Sequence, residues 1–208
     1  FFDQLDYRKI KLLYLNYPHM PTGARGSQKI LAKFVDIAIK HKILLIHDNP
    51  YSFILNDQPL SIFSVEGSKT CALELNSLSK SFNMSGWRVG WLSGASENIK
   101  NVLRIKSNLD TGMYQPIQRA AILALQQDEG WFEQLNHTYK IRRNCVFRLL
   151  DKLNCTYQKG QSGLFVWAQA PMMDVDVLID DLLVNKHIFI TPGHIFGAKG
   201  RRYVRVSL

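Results

Sequence analysis

Short apolar runs and helix-period segments alternate along the first part of the chain. Lys11 to Asn16 (KLLYLN) is an apolar run stopped by the Pro- and Gly-rich turn YPHMPTG, and it predicts a buried strand. From Ser27 to His41, Ile30, Leu31, Phe34, Ile37 and Ala38 recur on one helical face. Ile43 to His47 predicts the next strand, and Ala72 to Leu75 and Gly90 to Ser93 two more. Strands alternating with helices point to an α/β fold with a largely parallel sheet. Beyond Ser96 the period turns helical, near Glu97 to Ile105, Pro116 to Gln127 and, over a longer stretch, Gly130 to Leu153. The last part changes character. Strands at Leu164 to Ala168, Ile188 to Thr191 and Tyr203 to Ser207 surround a helix at Val175 to Asn185, the pattern of a smaller α+β domain. The expected division is a large α/β domain over residues 1–129, a connecting helix over 130–154 and a small domain over 155–208.

Composition narrows the class. With 208 residues and 46% apolar side chains, the chain can bury a solid core. Charged residues make up 21%, and neither a membrane-spanning apolar run nor a signal peptide is visible, which predicts a cytoplasmic protein with no membrane partner. Cys71, Cys145 and Cys155 are odd in number, widely spaced and set among apolar residues, as for reduced core thiols. The net charge of +9 is dispersed apart from knots such as Lys140 to Arg143 and Lys199 to Arg202. No stacking aromatics interleave those knots, so no nucleic-acid partner is expected. The six histidines show no metal-ligand spacing, and no metal is expected. Trp87, Trp91, Trp131 and Trp167 are expected in core or interface.

The stretch NSLSKSFNMSGWRVGW, residues 76–91, carries the candidate chemistry. Ser77 and Lys80 have the S-x-x-K spacing of serine acyl-transfer enzymes, but the accompanying S-D-N and K-T-G elements do not occur. SLSKSFNMSGWRVG instead resembles the cofactor-lysine signature of the class I and II pyridoxal-phosphate-dependent aminotransferases, the fold type I family. Ser77, Ser79, Lys80, Gly86, Arg88 and Gly90 carry the match. Further landmarks follow in family order: Asp48 and Tyr51 in HDNPY, the turn YPHMPTG, the element PGHIFG, and YVRVS with Arg205. The resemblance implies an α/β large domain with a mostly parallel sheet and flanking helices, a smaller C-terminal α+β domain, pyridoxal 5'-phosphate as cofactor, and a homodimer.

It also implies roles. Lys80 would form a Schiff base with the cofactor and, once displaced by an incoming amino acid, act as base at the substrate α-carbon. Asp48 would face the ring nitrogen, keeping it protonated so that the ring can accept electrons. Tyr51 would donate to the phenolate oxygen. Ser77, Ser79 and the planar fork of Arg88 would bind the phosphate. Arg205, flanked by Arg201 and Arg202, would grip the substrate carboxylate. Amino-acid and 2-oxo-acid substrates are therefore expected, and an amino-transfer reaction. KSNLDTGMYQPIQ, residues 106–118, resembles the subgroup with alanine- and diaminopimelate-type enzymes. The alternatives are a β-eliminating carbon–sulfur lyase on the same scaffold, or a catalytically incomplete regulatory or scaffold fragment.

Two departures stand out. The family's asparagine before P-T-G is Met20 here, and a thioether cannot donate a hydrogen bond. The family's N-terminal half has no counterpart in the sequence, so a cofactor pocket built by these residues alone is expected to bind pyridoxal phosphate poorly.

Overall fold

The computed structural model describes residues 5–171 and 175–208. Its backbone divides into two compact units. The first takes the described residues up to 18 with 26–52 and 58–128; the second takes 19–25, 53–57 and the described residues from 129 on.

The first unit is built around a four-stranded sheet in the order β1-β2-β3-β4, with β1 at Leu12–Asn16, β2 at Leu44–Asp48, β3 at Ala72–Ser77 and β4 at Gly90–Gly94. Strands β1, β2 and β3 run parallel, and β4 returns antiparallel to β3. The largely parallel sheet of the sequence reading is thus parallel in three strands and mixed at its edge. The residues between β3 and β4 hold only a helical turn, α2 at Leu78–Ser81, and a 3-10 turn at Ser85–Trp87. They reverse the chain rather than carrying it back along the sheet, as a parallel crossover must.

Helix α1, Gln28–His41, joins β1 to β2. The Ser27 hydroxyl caps it by accepting from the Ile30 amide at 3.2 Å, and Lys42 ends it in the left-handed region at φ 55°, its amide donating to the Ala38 and Ile39 carbonyls. Its apolar stripe, Leu31, Phe34, Val35 and Ala38, packs on Leu15, Leu45 and Ala72 from one face of the sheet. Because strand side chains alternate, the opposite face carries the intervening positions, among them Asp48. Two further helices follow, α3 at Ser96–Leu109 and α4 at Gln115–Leu125. Ala121 of α4 packs under the residue 78–84 loop with Leu78 and Met84, whereas none of the fourteen residues of α3 is buried.

The second unit contains α5, Glu129–Lys152, and an antiparallel sheet in the order β5-β6-β8-β7. The strands are β5 at Thr156–Tyr157, β6 at Phe165–Gln169, β7 at Thr191–Pro192 and β8 at Tyr203–Ser207, with α6 at Val175–Lys186. Val166, Ala168 and Val204 of the sheet pack with Leu150 of α5 and Val175 and Ile179 of α6. The strand expected over Ile188 to Thr191 shrinks to β7. The Ile188 amide is spent on the Leu182 carbonyl, closing α6, and Pro192 has no N–H to extend an edge strand.

Cysteines 71 and 155 are buried, but Cys145 is exposed on α5, on the polar side of a helix whose apolar stripe lies elsewhere. Trp87 and Trp91, expected in core or interface, are 47% and 40% exposed in this chain. No helix among the described residues is long and apolar enough to cross a membrane.

Candidate active site

Asp48 ends β2 on the sheet face away from α1, with Asn16 of β1 as its register partner on one side and Leu75 of β3 on the other. The Asn16 amide donates to the Asp48 carbonyl at 2.9 Å and reaches its carboxylate at 3.5 Å. Tyr14, two residues back on the same face, donates its hydroxyl to the Asp48 carboxylate. Partial burial, this hydrogen bond and the Asp48 charge push the Tyr14 phenol up to about 12. The strand course continues past Asp48, since the Asn49 amide donates to the Leu75 carbonyl at 2.9 Å. Tyr51 follows, buried.

Lys80 emerges from β3, the neighbouring strand, at the same end. Its segment is held by one carbonyl: that of Val89 accepts from the Leu78 amide and from the Ser77 hydroxyl, both at 3.1 Å. The residues from Ser77 to Val89 are therefore a closed loop carrying Lys80 and Arg88. Ser77 also accepts from the Ser79 amide at 3.1 Å, capping α2, so its single hydroxyl hydrogen and a lone pair serve the loop. Ser79 and Lys80 are half-buried. Arg88 is exposed, sits in the left-handed region at φ 55°, and donates from Nη1 to the Ser85 carbonyl at 2.8 Å. A Cβ on Gly90 would meet the Asn76 carbonyl oxygen at 2.7 Å, so glycine lets β4 close on β3 beside this loop.

Beneath the site lies a buried polar network that the sequence did not announce. His47 and Glu74, register partners on the α1 side, approach at 3.1 Å, and the other His47 ring nitrogen lies 3.1 Å from the Tyr17 carbonyl. Both contacts require N–H donors from the ring. Glu74 also accepts from Ser61 at 2.9 Å, the Ile62 amide at 2.7 Å and Asn76 at 3.0 Å. Burial acts to raise the Glu74 carboxyl, and these donors, His47 first, outweigh it and hold the group below the ordinary glutamate value. An alternation of apolar and polar residues within LLIHD and ALELNS is the signal that could have located this pair.

In the second unit, Arg205 lies on β8, half-buried, with its guanidinium carbon 4.2 Å from the Phe165 ring centroid and 4.6 Å from that of Phe196. Its Nη1 is 3.4 Å from the Met20 sulfur. Met20, which stands where the family pattern has asparagine, thus meets the candidate carboxylate-binding arginine. Arg201 and Arg202 are exposed in the turn before β8. Among the described residues no group of three His, Cys, Asp or Glu is placed to hold a metal ion.

The family described as aminotransferase class I and II matches residues 2–208. The chain belongs to the aminotransferase class I and II family. An LL-diaminopimelate aminotransferase of Oleidesulfovibrio alaskensis is 33% identical over 210 residues, covering 99% of this chain and 54% of that protein. One of Halothermothrix orenii is 38% identical over 204 residues, 97% of this chain and 52% of that protein. The apo-BacF structure from Bacillus subtilis superposes with a TM-score of 0.92 at 37% identity, over 100% of this chain and 55% of that one. The chain thus spans about half the length of the curated relatives it matches.

Pyridoxal phosphate is the cofactor expected of an aminotransferase class I and II chain, and the donor set suits it. A carboxylate (Asp48), an amine (Lys80), a phenol (Tyr51) and a guanidinium (Arg88) are the partners that a pyridine nitrogen, an aldehyde, a phenolate and a phosphate need. Asp48 and the Lys80 loop leave the carboxyl ends of adjacent parallel strands, the usual ligand position of an open α/β sheet. The phosphate end is the less complete, because Ser77 is occupied as a cap and Arg88 is drawn to Ser85.

Proposed function

We propose that the protein is an aminotransferase that uses pyridoxal phosphate to move an amino group between an amino acid and a 2-oxo acid. The observation that carries the reading is the juxtaposition of Asp48 and the Lys80 loop at one end of the paired strands β2 and β3. In this reading Asp48, Tyr51, Lys80 and Arg88 serve the cofactor and Arg205 serves the substrate. Family membership supports a homodimer, and three unpaired cysteines support the reducing cytoplasm.

Each side chain has a task. Asp48, held by Asn16 and Tyr14, places a negative charge for the cofactor's ring nitrogen. Tyr51 offers a hydroxyl to the phenolate oxygen, and Ser79 and Arg88 offer donors to the phosphate. Ser77 acts by closing the loop that carries them. Bound there, the cofactor would supply the electron sink for charge left on the substrate α-carbon. Lys80 would hold the cofactor aldehyde and, once released, its Nζ takes the α-proton and returns it. Arg205 grips the substrate carboxylate in its fork, holding the α-carbon in place for that transfer. The relatives' names make LL-diaminopimelate the first amino donor to test.

The test has two arms. Pyridoxal phosphate mixed with the full-length protein and with its Lys80→Ala variant is followed by visible absorbance; the full-length protein is also assayed for amino transfer from LL-diaminopimelate to a 2-oxo acid. Cofactor absorbance that survives Lys80→Ala would overturn the role of Lys80. Pyruvate and ammonia from cystathionine without any acceptor would replace amino transfer with elimination.

A further inference from the structure

Arg205 is held in a way that the family pattern does not specify. The antiparallel pairing of β6 and β8 sets Trp167 opposite Arg205 and Phe165 opposite Ser207, so Phe165 and Arg205 lie on one sheet face as diagonal neighbours. Phe196 arrives from the 3-10 turn Gly193–Phe196. That turn lies directly on β8: a Cβ on Gly193 would meet the Tyr203 carbonyl oxygen at 2.6 Å and the Trp167 ring at 2.7 Å. Only glycine permits the approach, and the approach brings the Phe196 ring to Arg205. The guanidinium then has aromatic rings at 4.2 and 4.6 Å and a thioether at one corner, none of which carries a charge.

We infer that Phe165 and Phe196 are positioning residues that fix the plane of the Arg205 guanidinium, with Met20 bounding one edge, so that it meets a substrate carboxylate edge-on. A guanidinium is flat and carries its donors in its plane. Rings stacked on it add cation–π attraction and remove the rotations that would tip the fork away from a carboxylate. Met20 contributes as a soft neighbour that neither donates to the carboxylate nor draws off the charge. The inference rests on the assignment of Arg205 to the substrate carboxylate, and the experiment separates the two.

Phe165→Leu, Phe196→Leu and Arg205→Lys are compared in the full-length, cofactor-loaded protein. Three quantities are measured: KM against kcat for the amino donor, the inhibition constant of propionate, which has a carboxylate but no amine, and the Arg205 Nε–H proton resonance, identified by its loss in Arg205→Lys. Each leucine variant is expected to raise KM and the propionate constant about tenfold, the scale of a partly desolvated cation–π contact, with kcat within about twofold. Each should also move the resonance downfield as ring-current shielding is lost. Phe165→Tyr and Phe196→Tyr, which keep the rings, should stay at the wild-type values. Should a leucine variant not fold, methionine at the same position carries the same expectation. If the leucine variants bind propionate as wild type does while Arg205→Lys binds it poorly, the rings do not position the guanidinium. If Arg205→Lys itself binds propionate normally, the carboxylate assignment falls, and the inference with it.

Discussion

Tyr14 was not among the residues singled out by sequence, yet its hydroxyl donates to the Asp48 carboxylate. Its phenol titrates near 12 in the folded chain against an ordinary value of 10.0. A raised folded value means that the contribution to stability is complete below 10.0 and is lost as pH climbs through about 12. Tyr14→Phe should therefore lose less stability than wild type between those two pH values, measured by chemical denaturation; equal losses would show that the hydrogen bond carries no linkage. Glu74 gives the opposite sign. Its carboxyl is held below the ordinary 4.5, so its contribution is present above that pH and disappears as pH falls through the lowered value. Glu74→Gln should cost about 3 kcal/mol at neutral pH, because it leaves a buried ring facing a neutral amide. It should also flatten the acid limb of the stability profile. A variant as acid-sensitive as wild type would assign that limb to other carboxyls.

At the scale of elements, the loop between β3 and β4 depends on a missing side chain. Gly90→Ala places a Cβ against the Asn76 carbonyl oxygen, and backbone has to give way. We expect a loss of about 2 kcal/mol in stability and a matching fall in the Lys80-dependent cofactor absorbance of the full-length protein, since the strands that part are those anchoring Ser77 and Val89. Unchanged absorbance in a destabilised variant would separate the loop's geometry from the strand pairing. The elements themselves were largely visible in the pattern. The stripe Leu31, Phe34 and Ala38 defined α1, with Ser27 at its start, and YVRVS defined β8 at its observed bounds. The short strand β5 was not, and β7 was anticipated only at Thr191, because two residues carry too little periodicity to be distinguished from a turn.

For the whole molecule, the decisive feature is how unevenly the chain buries itself. Leu31, Leu45 and Ile62 are fully buried in the first unit, whereas Leu109 of α3 is 80% exposed and Ile105 65%. Amide exchange of this chain alone should therefore be slow in β2 and β3 and fast along α3, whose backbone bonds have no packed face to protect them. Protection of α3 as strong as that of β2 would mean that the chain associates through that face in solution. By itself the sequence determined the alternation of strands and helices and, through its motif resemblance, the family, and it named Asp48, Tyr51, Lys80, Arg88 and Arg205 as candidates. Those readings draw on local pattern and motif, which the chain carries wherever it folds. Only the tertiary structure decided that Ser77 is spent as a cap, that Tyr14 and Asn16 attend Asp48, and that Arg205 lies against two phenyl rings and Met20. Each of these depends on strand register or on a close glycine approach, and register is a relation between segments distant in sequence that no single segment encodes.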